Sequence, residues 1–317
     1  MVRALEVQFE TARGPLVRPP TTDLSAYELY LKGRFVRRRM SADALARSIE
    51  YLEEALRLDS TFAPALAWLS DAHWLLVVIA GRSPVEEVPR ARAYAARAIE
   101  LDPQLAEAHW AMSQVQMADW NWPAAERGFL EALRLDPGLV DARHLYALFL
   151  LHQGRVDEAI VDLTRVLTAD PLHAEAHFTM GRAHLARGDS DRAVASFREA
   201  SGLQPAFIMA RSYLGHAHLQ AGRVDEAMAE HERAAANGTA TEVAQLAYMY
   251  GIAGRRVEAT GLIDRLLADA DHLSLFHLAM AYVGLGDVPV ALDWLERSCE
   301  AHDPWTTALK IHPAFGR

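Results

Sequence analysis

"ADWNWPAAERGFLEALRLDP", residues 118–137, decides the fold once the following segments are laid beneath it. "HQGRVDEAIVDLTRVLTADP" (152–171) and "ARGDSDRAVASFREASGLQP" (186–205) match it column for column. Pro103, Pro137, Pro171 and Pro205 stand 34 residues apart, so the chain is a repeat and its length counts repeats rather than domains. Within each interval apolar or small residues recur at columns 4, 7, 8 and 11. Glycine follows near 15, alanine at 20, a large apolar residue at 24 and a small one at 27. Columns 4, 7, 8 and 11 form one face of a helix, and 20, 24 and 27 one face of a second. Each unit is predicted to be a helical hairpin.

The corners carry their own chemistry. Gly154, Gly188, Gly222, Gly254 and Gly286 fall where the first helix must stop, and glycine enters the left-handed cap conformation without a Cβ penalty. Ala125, Ala159, Ala193, Ala227, Ala259 and Ala291 fill column 20, where a bulkier side chain would hold the two helices apart. The Asp-Pro pairs at 102–103, 136–137 and 170–171 are expected to end the second helix, with the aspartate free to cap the next. Trp120 replaces the usual glycine at column 15, and Asn121 is expected to take the left-handed conformation in its place. Trp122, at column 17, reads as a packing residue.

Less regular units flank this core. Residues 26–60 carry "VRRRMS" between their helices, 63–103 a longer insertion around "AGRSPVEEV", and the loop "ANGTAT" after Ala235 loses its proline. Eight hairpins are counted, over residues 24–304. Residues 1–23 read as a helix-like stretch at 3–12 followed by a proline-bearing linker, and 305–317 as a C-terminal capping segment.

Composition narrows the function classes. The hydrophobic fraction is 51% against 23% charged, as in a folded chain. The net charge is −10, and no basic run exceeds "RRR" at 37–39, so no nucleic acid is expected as main partner. The single cysteine, Cys299, precludes an internal disulfide and fits the reducing cytoplasm. The start lacks a signal-peptide core and "WLLVVIAG" (74–81) is too short to span a bilayer, so no membrane role is expected.

The columns resemble the tetratricopeptide repeat over about residues 26–304, most clearly at Leu214-Gly215, Ala227 and the series Gly181, Ala193, Phe197, Ala200, Pro205. More narrowly, "AYELYLKGRF" (26–35), "DWNWPAAE" (119–126), "GRVDEAI" (154–160) and "LGDVPVALDWLE" (285–296) resemble the C-terminal repeat region of bacterial winged-helix, nucleotide-cyclase or Ser/Thr-kinase regulators. Such effector domains do not precede residue 26, so none of their activities is expected here. The resemblance implies an all-α, right-handed superhelical solenoid of about eight repeats. It also implies that the first helix of each hairpin lines an inner groove, with columns 2, 5, 9, 12 and 13 facing a ligand.

Those columns name the candidate partner-binding residues: Trp74, Trp110, Gln114, Met117, His144, Leu148, His152, Phe178, Arg182, His216 and Gln220. Trp110 and Phe178 would be apolar anchors, with Arg182, Gln114 and Gln220 fixing register. A metal reading of "HAEAH" (173–177) sets two imidazoles on one face, but Glu175 is out of order for a zinc-enzyme motif and no third ligand is nearby. His73, His184 and His218 share column 11 and read as packing residues. With no activated serine or cysteine and no phosphate-cradling loop, neither catalysis nor a cofactor is expected. The sequence therefore reads as a protein-binding module, a scaffold or the sensory part of a regulator. The alternatives are self-association through apolar residues around "WTTALKI" (305–311), and RNA binding by a helical repeat.

Overall fold

The computed structural model describes residues 21–236, 238–269 and 274–315. The expected helix at 3–12 and most of the linker lie outside the described residues. Among the described residues there are sixteen α-helices and no strand. They pair in chain order as α1 (Leu24–Arg37) with α2 (Ala42–Leu58), α3 (Ala63–Ala80) with α4 (Pro84–Leu101), and α5 (Ala106–Ala118) with α6 (Trp122–Leu135). Next come α7 (Val140–His152) with α8 (Val156–Ala169), and α9 (Ala174–Ala186) with α10 (Ser190–Leu203). The last three pairs are α11 (Ile208–Gln220) with α12 (Val224–Ala235), α13 (Ala240–Ile252) with α14 (Arg256–Asp269), and α15 (Leu275–Gly284) with α16 (Val288–Glu300). A 3₁₀ turn, Pro304–Ala308, follows. The eight hairpins stack as a solenoid.

Local chemistry explains the hairpins. The column-20 alanines are almost wholly buried, where each pair of helices crosses. At Gly154, φ is +81°, and Arg155 N–H donates back to Leu150 O at 2.9 Å, closing the turn by the six-to-one pattern that a left-handed cap allows. The same closure occurs from Asn121 N to Gln116 O, so Trp120 itself takes the left-handed conformation, at φ +58°. Asn121 instead lies at φ −85° and caps α6 by accepting from Ala124 N–H. That corrects the expected roles: the glycine column is a backbone requirement, and tryptophan occupies it under strain. Trp122, at the first position of α6, packs half-buried against the core.

The Asp-Pro corners also differ in detail. Asp102, Asp136 and Asp170 end their helices, but each carboxylate accepts from the N–H two residues on, at 2.9, 2.8 and 3.1 Å. The next helices start after Leu105, Leu139 and His173. The aspartates thus shape the corner.

The "AGRSPVEEV" insertion is absorbed by lengthening α3 and α4 to 18 residues each, joined through Gly81 at φ +65°. By length and composition α3 could cross a membrane, but most of it is buried inside the solenoid as a core helix. At the other end, α13 and α15 cross backbone to backbone: a Cβ on Gly284 would come 2.7 Å from Tyr248 Cα, and one on Gly251 would fall on the Gly284 backbone.

The solenoid winds tightly enough that early and late hairpins meet. Arg37, the last residue of α1, bonds Asp71 of α3 at 2.7 Å and Glu175 of α9 at 2.5 Å. Met40 packs into the same core cluster as Phe207 and Met209. After α16 the chain turns at His302 (φ +49°), whose ring lies 4.8 Å from Trp120, and runs back along the inner surface. Ala308 and Ile311 join the cluster that holds Trp110, Leu145 and Leu150. The apolar residues expected to support self-association therefore point inward.

Candidate inner-surface site

The first helices of the middle hairpins, α3, α5, α7 and α9, turn one face toward the solenoid axis. Between them and the returning C-terminal segment lies a cavity of about 110 Å³. It is lined by Trp74, Gln114, Met117, His144, Leu148, His152, Phe178 and Arg182, all singled out by repeat column. Helical periodicity brings them together, because columns that repeat every 34 residues stack along one surface. His216 and Gln220 line a neighbouring recess against Lys310, Ile311, His312 and Pro313.

Trp110 departs from this set. Its ring is 0% exposed and meets Trp68 edge-on at 5.5 Å within the core, so it cannot serve as an anchor for a partner. His144 and Phe178, at the same column of later hairpins, do reach the cavity, so the burial of Trp110 is particular to its contact with Trp68 of α3. Phe178 lines the cavity while packing against Phe207 and Tyr213. Gln114 donates to Asp71 at 3.2 Å, and Gln220 to Leu185 O at 3.2 Å while accepting from Ser190. Both glutamines are thus already engaged within the chain.

Residues not named as candidates complete the site: Arg37 of α1, Glu175 and Thr179 of α9, and Pro304, Trp305, Thr307 and Ala308 of the C-terminal segment. Glu175 stands at column 2 and Arg37, counted from residue 26, at column 12, so both were legible by repeat column, whereas no column signal could have found the segment, which arrives through closure of the solenoid. Arg37 is buried, and although burial opposes its charge, the carboxylates of Asp71 and Glu175 hold the proton on. Burial pushes the Asp71 carboxyl up, against the pull of Arg37. His144 is held neutral, down to about 3, by burial and then by His173. The Thr179 hydroxyl donates to Glu175 O at 3.0 Å, so it accepts from His144 Nε2–H at 2.9 Å, which sets the tautomer.

A parallel argument orders the other end of the cavity. Arg182 Nη2 donates to His152 Nε2 at 2.9 Å, and burial followed by the Arg182 charge keeps His152 neutral. Its proton therefore sits on Nδ1, facing Thr307 Oγ1 at 3.3 Å, while the Thr307 hydroxyl donates to Pro304 O at 2.8 Å. The cavity arginine is linked to the C-terminal segment through this chain of polar groups.

The histidines that suggested a metal have structural partners. His177 Nε2 donates to Pro171 O at 2.9 Å, and His173 accepts from Ala176 N–H at the start of α9. His73 pairs with Glu87 at 2.6 Å, and His218 accepts from Arg223. Among the described residues no group of three His, Cys, Asp or Glu side chains is placed to hold a metal ion.

The architecture is an all-α solenoid of helical hairpins with a filled inner surface. Tetratricopeptide-repeat family models match residues 111–174 and 178–242, with further matches at 150–200 and 272–297. The chain therefore carries tetratricopeptide repeats, which generally mediate protein–protein interaction and are typically non-enzymatic scaffolds. It is similar to human IFIT1, solved as a dimer with m7Gppp-AAAA, at 15% identity and TM-score 0.65, covering 94% of this chain and 76% of that one. It is also similar to PilW, a widely conserved type IV pilus biogenesis factor, at 19% identity and TM-score 0.52, covering 66% and 96%. A tetratricopeptide repeat protein of Parabacteroides merdae aligns at 13% identity and TM-score 0.53, covering 85% and 100%. At these identities the likeness is one of fold. No curated protein matches the sequence.

Proposed function

We propose that this chain is a non-enzymatic module that binds a polypeptide segment of a partner on its inner surface, as a scaffold or as the sensory region of a regulator. The observation that supports this reading most is the C-terminal segment. Residues 304–315 lie along the inner surface with Ala308 and Ile311 buried, His312 edge-on to Tyr213 at 5.6 Å, and Phe315 against Phe276 at 5.1 Å. A surface that accepts one short apolar segment has the pockets for another of the same chemistry.

A partner must then compete with the resident segment. Its apparent affinity falls by the fraction of molecules in which the segment is unseated. Phe178 and Arg182 remain the contacts of choice, whereas Trp110 belongs to the core. The test is a labelled peptide of residues 303–315 titrated against the full chain and against Ile311→Glu, which unseats the segment by burying a carboxylate, with helicity confirmed by circular dichroism. Saturable binding that strengthens in Ile311→Glu supports the reading. Absence of binding to a folded Ile311→Glu chain excludes it.

A further inference from the structure

We infer that the inner cavity is a binding site for a small organic carboxylate, held by Arg182. This stands apart from the peptide reading, because it requires the C-terminal segment to stay seated as one wall of the site.

The carrying observation is a buried guanidinium without a counter-ion. Arg182 is 6% exposed and lines the cavity, and among the described residues no carboxylate lies within ion-pair distance of it. Its hydrogen bond goes to the neutral ring of His152. The Phe178 and Tyr213 rings stand 5.8 and 5.6 Å from the guanidinium carbon, which positions the group but leaves its positive charge uncancelled. A guanidinium cannot shed its proton in response to burial as a lysine would, so an anion is what this environment lacks.

Arg37, in the wall of the same cavity, is the internal comparison. It is equally buried, yet two carboxyls meet it. Glu175, one of those two, lies seven residues before Arg182 on α9, about two turns or roughly 10 Å away along the helix. The carboxylate of Glu175 therefore faces the Arg37 end and leaves the Arg182 end free to attract an anion.

Size and wall chemistry narrow the class. The apolar walls of the cavity are Met117, Leu148, Phe178, Leu75, Val78 and Trp305, of which Phe178 stands next to Arg182, and they favour an apolar body behind the charged head. A cavity of about 110 Å³ is smaller than the roughly 150 Å³ space that accommodates benzene, which points to about four to six heavy atoms. Propionate and butyrate have that size and the planar carboxylate that a guanidinium grips with two parallel hydrogen bonds.

The experiment titrates propionate and butyrate into the full chain at constant ionic strength, following tryptophan fluorescence, since Trp74 and Trp305 line the cavity. Saturable one-to-one binding is expected, weakened at least about tenfold for propionamide and for Arg182→Met, because each removes one side of a charge-assisted pair. Met117→Trp fills the cavity while leaving Arg182 in place, and should abolish binding. Arg182→Met itself should keep or raise the thermal midpoint, because it removes an uncompensated buried charge. If neither acid binds saturably to the full chain, or if both bind Arg182→Met as tightly as the wild type, the inference fails. Neither result bears on peptide capture, which is read separately with residues 303–315.

Discussion

Trp120 shows how much one residue can cost and still persist. Its left-handed backbone, at φ +58°, is one that L side chains avoid, while five sibling positions in the repeat use glycine. Two features hold it: the closure from Asn121 N to Gln116 O, and ring contact with His302, itself left-handed just after α16. Replacing Trp120 by alanine loses the ring and keeps the backbone strain, whereas glycine loses the ring and relieves it. Trp120→Gly is therefore expected to be more stable than Trp120→Ala by about 1 kcal/mol, the reverse of their usual order in an exposed helix or turn. Urea unfolding of the two variants measures the difference, and alanine coming out more stable would show that the strain is not there.

At the scale of elements, the last hairpins depart from the repeat. In the middle of the chain, small residues at column 20 space the two helices of one unit. At the end, where Ala259 and Ala291 keep that role, Gly251 and Gly284 also let the first helices of neighbouring units, α13 and α15, meet backbone to backbone. Side-chain clashes can be relieved by a rotamer change, but backbone cannot yield in that way. Gly251→Ala is expected to destabilise by about 1–3 kcal/mol. Because a solenoid couples mainly nearest neighbours, hydrogen exchange should accelerate in α13–α16 and remain unchanged in α5–α8. Uniform acceleration along the chain would instead indicate that closure makes the solenoid one cooperative unit.

At the scale of the whole molecule, winding collects buried histidines. His216 lies 4.8 Å from His231 and 5.2 Å from His312, and His277 stacks edge-on to Trp305 at 4.9 Å. Burial, then neighbouring His216, holds His277 down to about 3, and the same two causes hold His231 and His312 well below the ordinary histidine range. These rings are neutral when folded, and the unfolded chain takes up their protons near pH 6.5. Stability is thus level above pH 7 and falls as pH drops through 6.5, by up to about 1.4 kcal/mol per pH unit for each such ring. Between pH 6.5 and 5.5 buried carboxyls pushed up by desolvation, Asp71, Glu242 and Asp303 among them, contribute with the opposite sign, so the histidine share is read as the difference between the wild type and a histidine variant. His231→Leu removes a ring whose two nitrogens have no hydrogen-bond partner among the described residues, and should make the decline in thermal midpoint shallower over that window. An unchanged slope would show that His231 is protonated in the fold.

Resemblance to the tetratricopeptide repeat implied which columns face inward; the sequence by itself determined the repeat, its period, the hairpin in each unit, and the glycine and alanine corners. These follow from helical periodicity and from conformational limits at single residues, both of which are local. Only the tertiary structure decided whether that inward surface is open. Arg37 reaching Glu175 across four hairpins, Trp110 turning into the core, and residues 304–315 filling the groove all depend on how far the solenoid winds. Winding is the sum of small rotations at each interface, set by side-chain volumes on both faces, and no single column carries it. Arg182 makes the point at one residue: its column placed it on the inner surface, but only winding closed a cavity around it, with no carboxylate beside it among the described residues.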